Sequence, residues 1–231
     1  MKPIVLISCG SFNPITVMHL NMFQVAKHFL ESECRTKYRV LRGIISPVND
    51  RYSFKKTLIP AEHRIEMIKL ALNTSSDNDW IRVDDFEAKQ EQWMRTLDVL
   101  KHFEREIKSG DLLADLPNVN KSEVDLRIIC GADLIETFSV PNLWKDEDIR
   151  ELISNYGYVI LPREGSNHEK YIEEHHILSQ YKDNIIILNC WEKNDVSSTR
   201  VREAVKKGDS IKGLVEDVVE EYIKQHRLYL T

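Results

Sequence analysis

The sequence predicts an α/β fold, a Rossmann-like doubly wound parallel sheet of about six strands with helices on both faces. Two features carry that expectation. Short apolar runs rich in β-branched residues recur along the chain with little alternation, as strands buried on both faces require. Segments with helical spacing fall between them, and alternating strand and helix gives parallel strands joined by right-handed crossovers. At 231 residues and 42% hydrophobic, the chain has material for a sizeable core, and residues 1–231 are read as one domain.

The first strand is read from IVLISC at 4–9, and the first helix from Leu20, Phe23, Ala26 and Leu30 at helical spacing. YRVLRGIIS at 38–46 is the second strand. PAEHRIEMIKLAL opens the second helix with Pro60, where a first turn has no use for the missing N–H. WIRVDD at 80–85 is the third strand, and a third helix is expected from Gln90 to Lys108. The polar stretch 109–125, SGDLLADLPNVNKSEVD, has few periodic apolar positions and reads as a surface excursion. LRIIC at 126–130, YGYVIL at 156–161 and NIIILN at 184–189 complete the strands, and KGLVEDVVEEYIKQHRLYL reads as a last helix covering an edge.

Composition removes several classes of function. A net charge of -5 and a pI near 5.9 argue against a nucleic-acid or anionic-membrane binder, which needs a broad basic surface to release counterions. A small anionic ligand needs only a local basic cluster. The four cysteines, Cys9, Cys34, Cys130 and Cys190, show no CxxC spacing, so a reducing compartment without disulfides or zinc is expected, with Cys9 and Cys130 as small core residues. The opening MKPIVLISCG has too short an apolar run for a secretory signal, and no run of 18 apolar residues occurs. A soluble intracellular protein of cytoplasm or nucleus is expected.

In a parallel α/β sheet, ligands sit outside the carboxyl ends of the strands, so chemistry is sought just after each one. GSFNPITVMH, 10–19, follows the first strand. Thr16 is suited to cap the first helix, which makes His19 its third residue, at a helix start whose amides and dipole suit phosphate. Gly10 lets a ligand approach the backbone closely. The glycines of GxGxxG and the Walker GxxxxGK[ST] are missing, so ordinary dinucleotide oxidoreductases and P-loop NTPases lose ground.

NDVSSTRVREAV, 194–205, follows the sixth strand and opens another helix. Ser197 and Ser198 are natural caps, but Arg200 and Arg202 then oppose the helix dipole by about 0.3–1 kcal/mol each. A bound anion reverses that penalty, whereas a solvated face would tolerate it. Asp133, just past the fourth strand, is placed either to meet a ribose hydroxyl or hydrated magnesium or to cap the next helix. His168, His175 and His176 suggest a metal, but a charged helical setting without nearby cysteines argues against zinc.

GSFNPITVMH together with VSSTRVR resembles the two signatures of the nucleotidyltransferase superfamily, an (H/T)xGH-like motif and an ISSTxxR motif, with Thr16 as the first member of the former and His19 as the second. GIISPVND, LIPAEHR, WIRVDDFE, QWMRT, CGADLIETF, VPNLWKDEDI and NDVSSTRVR are similar, in order and over nearly the whole chain, to the eukaryotic nicotinamide/nicotinate mononucleotide adenylyltransferases. The chain departs from them in three places. Phe86 stands where the family has an earlier tryptophan, one extra residue lies between Tyr52 and Leu58, and the midchain excursion lacks the long basic insertion of some relatives.

The resemblance implies transfer of the adenylyl group of ATP to nicotinamide or nicotinate mononucleotide, with pyrophosphate released and Mg2+ carried by the ATP phosphates. It implies His19, Arg202 and Lys55 (or its neighbour Lys56) as the catalytic groups. It implies Gly10, Ser11, Phe12, His19, Lys55, Gly131, Asp133, Asn194, Ser197, Ser198, Thr199 and Arg202 around ATP. For the mononucleotide it implies Ser11, Trp93, Thr96, Leu143, Trp144 and Arg163, with Trp93 and Trp144 flanking the pyridine ring. A cationic ring over an indole face gains about 0.5–2 kcal/mol. A homo-oligomer acting on small molecules, with no nucleic acid or membrane partner, is expected. Two other readings stand beside it: another small-molecule nucleotidyltransferase, or a client-binding chaperone that retains the nucleotide pocket.

Overall fold

In the computed structural model, residues 1–34, 38–52, 58–116, 118–162, 167–188 and 196–230 are described. Their strands are β1 (Lys2–Gly10), β2 (Tyr38–Pro47), β3 (Ile81–Val83), β4 (Asp125–Gly131), β5 (Tyr158–Leu161) and β6 (Ile185–Ile187). They form one sheet in the order β3-β2-β1-β4-β5-β6, with parallel pairing. That order reverses direction beside β1, as in a doubly wound sheet, so the segment following β1 leaves from the switch point where such folds bind ligands.

All six apolar runs become strands. Ile4, Val5, Leu6 and Ile7 are each 0% exposed, which explains why both alternate faces of β1 are apolar. β5 starts at Tyr158 rather than Tyr156, because Gly157 turns the chain there with φ 72. A Cβ on Gly157 would stand 2.4 Å from the Asn184 carbonyl, so neither the backbone angle nor the space admits a side chain.

The helices are α1 (Val17–His28), α2 (Ala61–Leu72), α3 (Thr96–Ser109), α4 (Ala132–Glu136), α5 (Asp146–Glu151), α6 (His168–Glu174), α7 (Ser198–Lys207) and α8 (Asp217–Gln225). Leu20, Phe23, Ala26 and Leu30 are all buried, as their spacing predicts. The helix expected from Gln90 begins only at Thr96. The preceding backbone is engaged elsewhere: the buried Asn49 side-chain amide donates to the carbonyls of Ala88 (3.1 Å) and Gln90 (2.5 Å). Within the 109–125 excursion Leu113 is buried, a short helical turn covers Lys121–Glu123, and Gly110 ends α3 in the left-handed conformation. No helix among the described residues is long and apolar enough to cross a membrane.

The chain gathers into two compact units. One comprises Met1–Ser8, Val25–Leu41 and Arg95–Asn194, the other Cys9–Gln24, Arg42–Met94 and Asp195–Thr231. In the first, α3 buries Val99, Leu100 and Phe103, and β4 contributes Ile128, Ile129 and Cys130. In the second, Phe23, Ile44, Ile45, Met67, Ile68, Val201 and Val219 are buried. The second unit also encloses a carboxyl group, Glu87, 4% exposed, which accepts a 2.7 Å hydrogen bond from the Ser46 hydroxyl.

Burial holds the Glu87 pKa at about 7 rather than 4.5, against the opposing influence of Ser46 and Arg64. Because the folded pKa is the higher one, the stabilisation from this group is complete below the unfolded pKa and is lost as pH rises through the folded one. Glu87→Gln keeps the group neutral at every pH. Urea denaturation should therefore show wild type losing up to about 3 kcal/mol relative to Glu87→Gln between pH 4.5 and 8. Parallel pH profiles for the two proteins would show that Glu87 ionises without cost.

Candidate active site

The loop after β1 is buried: Phe12 is 3% exposed, Asn13 0%, Ile15 1% and Thr16 1%. Phe12 takes a positive φ of 43, and the Asn13–Pro14 peptide is cis. A buried loop must place its backbone polar groups, and here the carbonyls meet donors. Gly10 O accepts from the Val48 N–H at 2.9 Å. Ser11 O accepts from Arg64 Nη1 at 2.8 Å, Asn13 O from Arg202 Nη1 at 2.8 Å, and Pro14 O from the Ser198 hydroxyl at 2.7 Å.

His19 occupies the third position of α1 and reaches back to Thr16. Its Nδ1 lies 3.0 Å from the Thr16 backbone N and 2.7 Å from Thr16 Oγ1. A backbone N–H can only donate, so Nδ1 is the acceptor and the ring proton sits on Nε2. The arrangement resembles a capping box in which imidazole replaces the usual carboxylate. Phe12 packs edge-on against the imidazole at 5.1 Å. At Gly10 the nearest neighbour a Cβ would meet is the Phe12 ring, at 3.4 Å.

α7 starts in the same unit. Ser197 caps it, accepting the Arg200 N–H at 3.2 Å. Arg202 is half-buried and is oriented by Asn13 O and by Thr199 Oγ1, the latter at 3.1 Å. Ser198 and Arg202 thus tie the amino end of α7 to Asn13 and Pro14, immediately ahead of α1. Gly10, Ser11, Phe12, His19, Ser197, Ser198, Thr199 and Arg202 are gathered in this way around one loop.

Arg64 was not singled out by sequence reasoning, yet it is the most heavily engaged cation here. It is 0% exposed, and besides Ser11 O it donates to Ile59 O (3.0 Å), Val48 O (2.7 Å) and Asp50 Oδ1 (2.7 Å). Asp50 Oδ2 accepts the Ala61 N–H at 3.1 Å, so the same carboxylate serves the open amino end of α2. The guanidinium thereby joins the loop after β1 to the loop after β2. A signal was available: Arg64 lies on the helical stripe otherwise formed by Ala61, Met67, Ile68 and Ala71.

In the second unit, Trp93 is 40% exposed and stacks on Tyr52 with centroids 5.9 Å apart. Gly131, Asp133, Thr96, Leu143 and Trp144, also expected at the substrates, lie in the first unit. Gly131 precedes α4, and a Cβ there would come within 2.5 Å of Asp133 Oδ1, so the Asp133 carboxylate folds over the glycine. The residue at the cap position is Gly131 itself, which makes Asp133 the second residue of the helix. Trp144 donates its indole N–H to Thr137 Oγ1 at 2.9 Å and takes the edge of Phe138 at 5.0 Å. Leu143 beside it is half-buried. Thr96 opens α3 next to Arg95, whose guanidinium is shared between Asp98 and Asp148. Lys55, Lys56, Arg163 and Asn194 lie outside the described residues.

His175 is buried and accepts the Ile177 and Leu178 N–H groups at Nδ1, and burial lowers its pKa; His176 pairs with Asp146 at 2.8 Å. Among the described residues no group of three or more His, Cys, Asp or Glu is placed to hold a metal ion. Cys130 is buried, while Cys9 is half-buried.

A sheet with this strand order, and two helix starts tied to the loop at its switch point, place the candidate site where doubly wound folds bind ligands. Residues 7–204 match the cytidylyltransferase-like family, and the chain belongs to it. Within that family it groups with the nicotinamide/nicotinic acid mononucleotide adenylyltransferases. It is 39% identical to nicotinamide/nicotinic acid mononucleotide adenylyltransferase 1 of Bos taurus, over 98% of this chain and 88% of that one. It is 44% identical to the nicotinamide/nicotinic acid mononucleotide adenylyltransferase of Oryza sativa subsp. japonica, over 97% of this chain and 85% of that one. The solved structure of Plasmodium falciparum nicotinic acid mononucleotide adenylyltransferase complexed with NaAD shares the fold, with TM-score 0.62, 21% identity, and 99% and 98% of the two chains covered.

Removing the Arg64 side chain would leave three carbonyls and the Asp50 carboxylate without this donor. Arg64→Ala is expected to cost at least about 3 kcal/mol in urea denaturation, and Arg64→Lys, with one ammonium for four acceptors, an intermediate amount. A loss below about 1 kcal/mol for Arg64→Ala would show that the two loops hold their places without it.

Proposed function

We propose that this protein transfers the adenylyl group of ATP to the 5'-phosphate of nicotinamide or nicotinate mononucleotide, forming NAD or its deamido counterpart and pyrophosphate. The observation that carries this reading is the pinning of α7's amino end, through Ser198 and Arg202, to the loop that leads into His19. Family membership supports the same chemistry, and the match over residues 7–204 supports reading the chain as one nucleotidyltransferase domain.

A phosphate oxygen of the mononucleotide attacks the α-phosphorus of ATP, the new P–O bond forms, and the bond from the α-phosphorus to the bridging oxygen breaks. The bonding electron pair leaves with pyrophosphate. The attacking phosphate is already an anion, so no protein nucleophile and no general base are required. The work falls to positioning and charge neutralisation. Holding two reactants in line supplies about 7–11 kcal/mol of barrier reduction. Mg2+ carried by the ATP phosphates supplies further neutralisation of the leaving group.

His19 donates from Nε2 to the ATP phosphates, a role that its Thr16 contact prepares by occupying Nδ1. The amides at the starts of α1 and α7 face the same anion. Arg202 clamps the β- and γ-phosphates, a role to which Lys55 and Arg200 are also assigned. Because the carbonyls of Ser11, Asn13 and Pro14 are turned to their own donors, they do not oppose the phosphates. Trp144 is assigned to the pyridine ring through its indole face, and Trp93 is a separate candidate for such a contact. Since the Trp144 N–H is bonded to Thr137, that indole recognises the ring by its face and edge carbons alone, consistent with acceptance of either the amide or the acid.

Incubation with ATP, magnesium and nicotinamide mononucleotide should yield NAD and pyrophosphate, and the absence of both would reject the assignment. Arg202→Ala should remain folded and lose about 10²–10³ in kcat; near-normal turnover would remove the clamp. Trp144→Ala should raise the KM for the mononucleotide about tenfold or less, the scale of one ring–indole contact, while the KM for ATP is unchanged. An unaltered mononucleotide KM would dismiss Trp144 as a ring contact.

A further inference from the structure

The loop before α1 is held from one more direction. Tyr229, in the segment after α8, is 9% exposed and donates its hydroxyl to Asn13 Oδ1 at 2.9 Å. Asn13 is 0% exposed, and its own carbonyl is the acceptor that orients Arg202. Both the side chain and the main chain of one buried asparagine are therefore fixed from outside the loop, by residues of two separate elements. Tyr229 sits in left-handed backbone, φ 64, a conformation costly for a bulky residue and tolerated where surrounding contacts require it. Burial raises the phenol pKa well above its ordinary value, against the opposing influence of Arg202 and Arg64, so the hydroxyl remains a donor throughout the neutral range.

We infer that Tyr229 is a positioning residue for nucleotidyl transfer: its hydroxyl fixes the Asn13 side chain and, through Asn13, the carbonyl on which Arg202 is oriented. The inference rests on the function proposed above. The phenol touches no reacting atom and acts only through Asn13. Its ring and its hydroxyl have separable effects. Phenylalanine at this position would preserve the apolar burial that anchors the segment, while depriving the buried Asn13 Oδ1 of this donor. A contribution confined to packing would survive that change.

Tyr229→Phe tests the point. The expected result is a kcat lower by about five- to tenfold, the scale of one lost buried hydrogen bond, with an unchanged KM for the mononucleotide and a thermal midpoint within a few degrees of wild type. In Asn13→Ala the same substitution should add nothing, because the two residues act as one unit. An independent reading comes from the Arg202 guanidinium NMR signals, assigned by their loss in Arg202→Lys. They should shift or broaden in Tyr229→Phe, whether or not the protein turns over a given substrate pair. Wild-type kcat in Tyr229→Phe together with unmoved Arg202 signals would overturn the proposal, as would a full additional loss on the Asn13→Ala background. Failure of wild type to form NAD would strike the proposed function instead, and the Arg202 signals would still decide the role of Tyr229.

Discussion

The structure of the candidate site depends on how one buried stretch of backbone disposes of its carbonyl oxygens. Between Gly10 and Pro14 four of them accept hydrogen bonds, from a backbone amide, two guanidinium groups and a serine hydroxyl. Leaving one such oxygen buried and unpaired costs about 1–3 kcal/mol. There is also an electrostatic consequence, since a bare carbonyl beside a triphosphate would repel it. Donors that occupy those oxygens satisfy the fold, and in the proposed function the neighbouring helix start, with its amides and His19, is the part of the loop assigned to the anion.

Two buried or half-buried guanidiniums sit in a chain whose net charge is -5. The positive potential is therefore local, built by position rather than composition. Arg64 has one carboxylate partner, Asp50, whose second oxygen is committed to α2, and three carbonyl partners that bring no full charge. Arg202 is held by a carbonyl and a hydroxyl, neither of them ionised. A guanidinium orientated by neutral acceptors keeps its charge available to a ligand, whereas one buried against carboxylates would have much of it cancelled.

Much of the fold was legible in the sequence. Continuous β-branched runs can satisfy both faces of a buried strand, so all six strands were expected in place, and the errors were confined to their ends. α3 was expected too early, because local apolar spacing from Gln90 onward takes no account of the distant Asn49 amide that holds the Ala88 and Gln90 carbonyls. Ser197 was legible as the cap of α7 because a cap and the amide it serves are neighbours in sequence, whereas the Thr16 hydroxyl, expected as a cap, is bonded to His19 Nδ1. Arg64 carried a signal, a charge on an apolar stripe, but its four acceptors come from three separate segments. Nothing local to Tyr229 announces Asn13, which lies 216 residues away.

The sequence alone determined the alternation of strand and helix, the cap at the start of α7, and the residue types at the turn after β1, since periodicity, capping and turn chemistry act over a few neighbouring residues. Tertiary structure alone decided which donors reach the Ser11, Asn13 and Pro14 carbonyls, which ring nitrogen of His19 carries its proton, and that Arg64 and Tyr229 belong with them. Hydrogen bonds between buried groups are selected by the packing that brings them within about 3 Å, and no local spacing rule encodes that proximity.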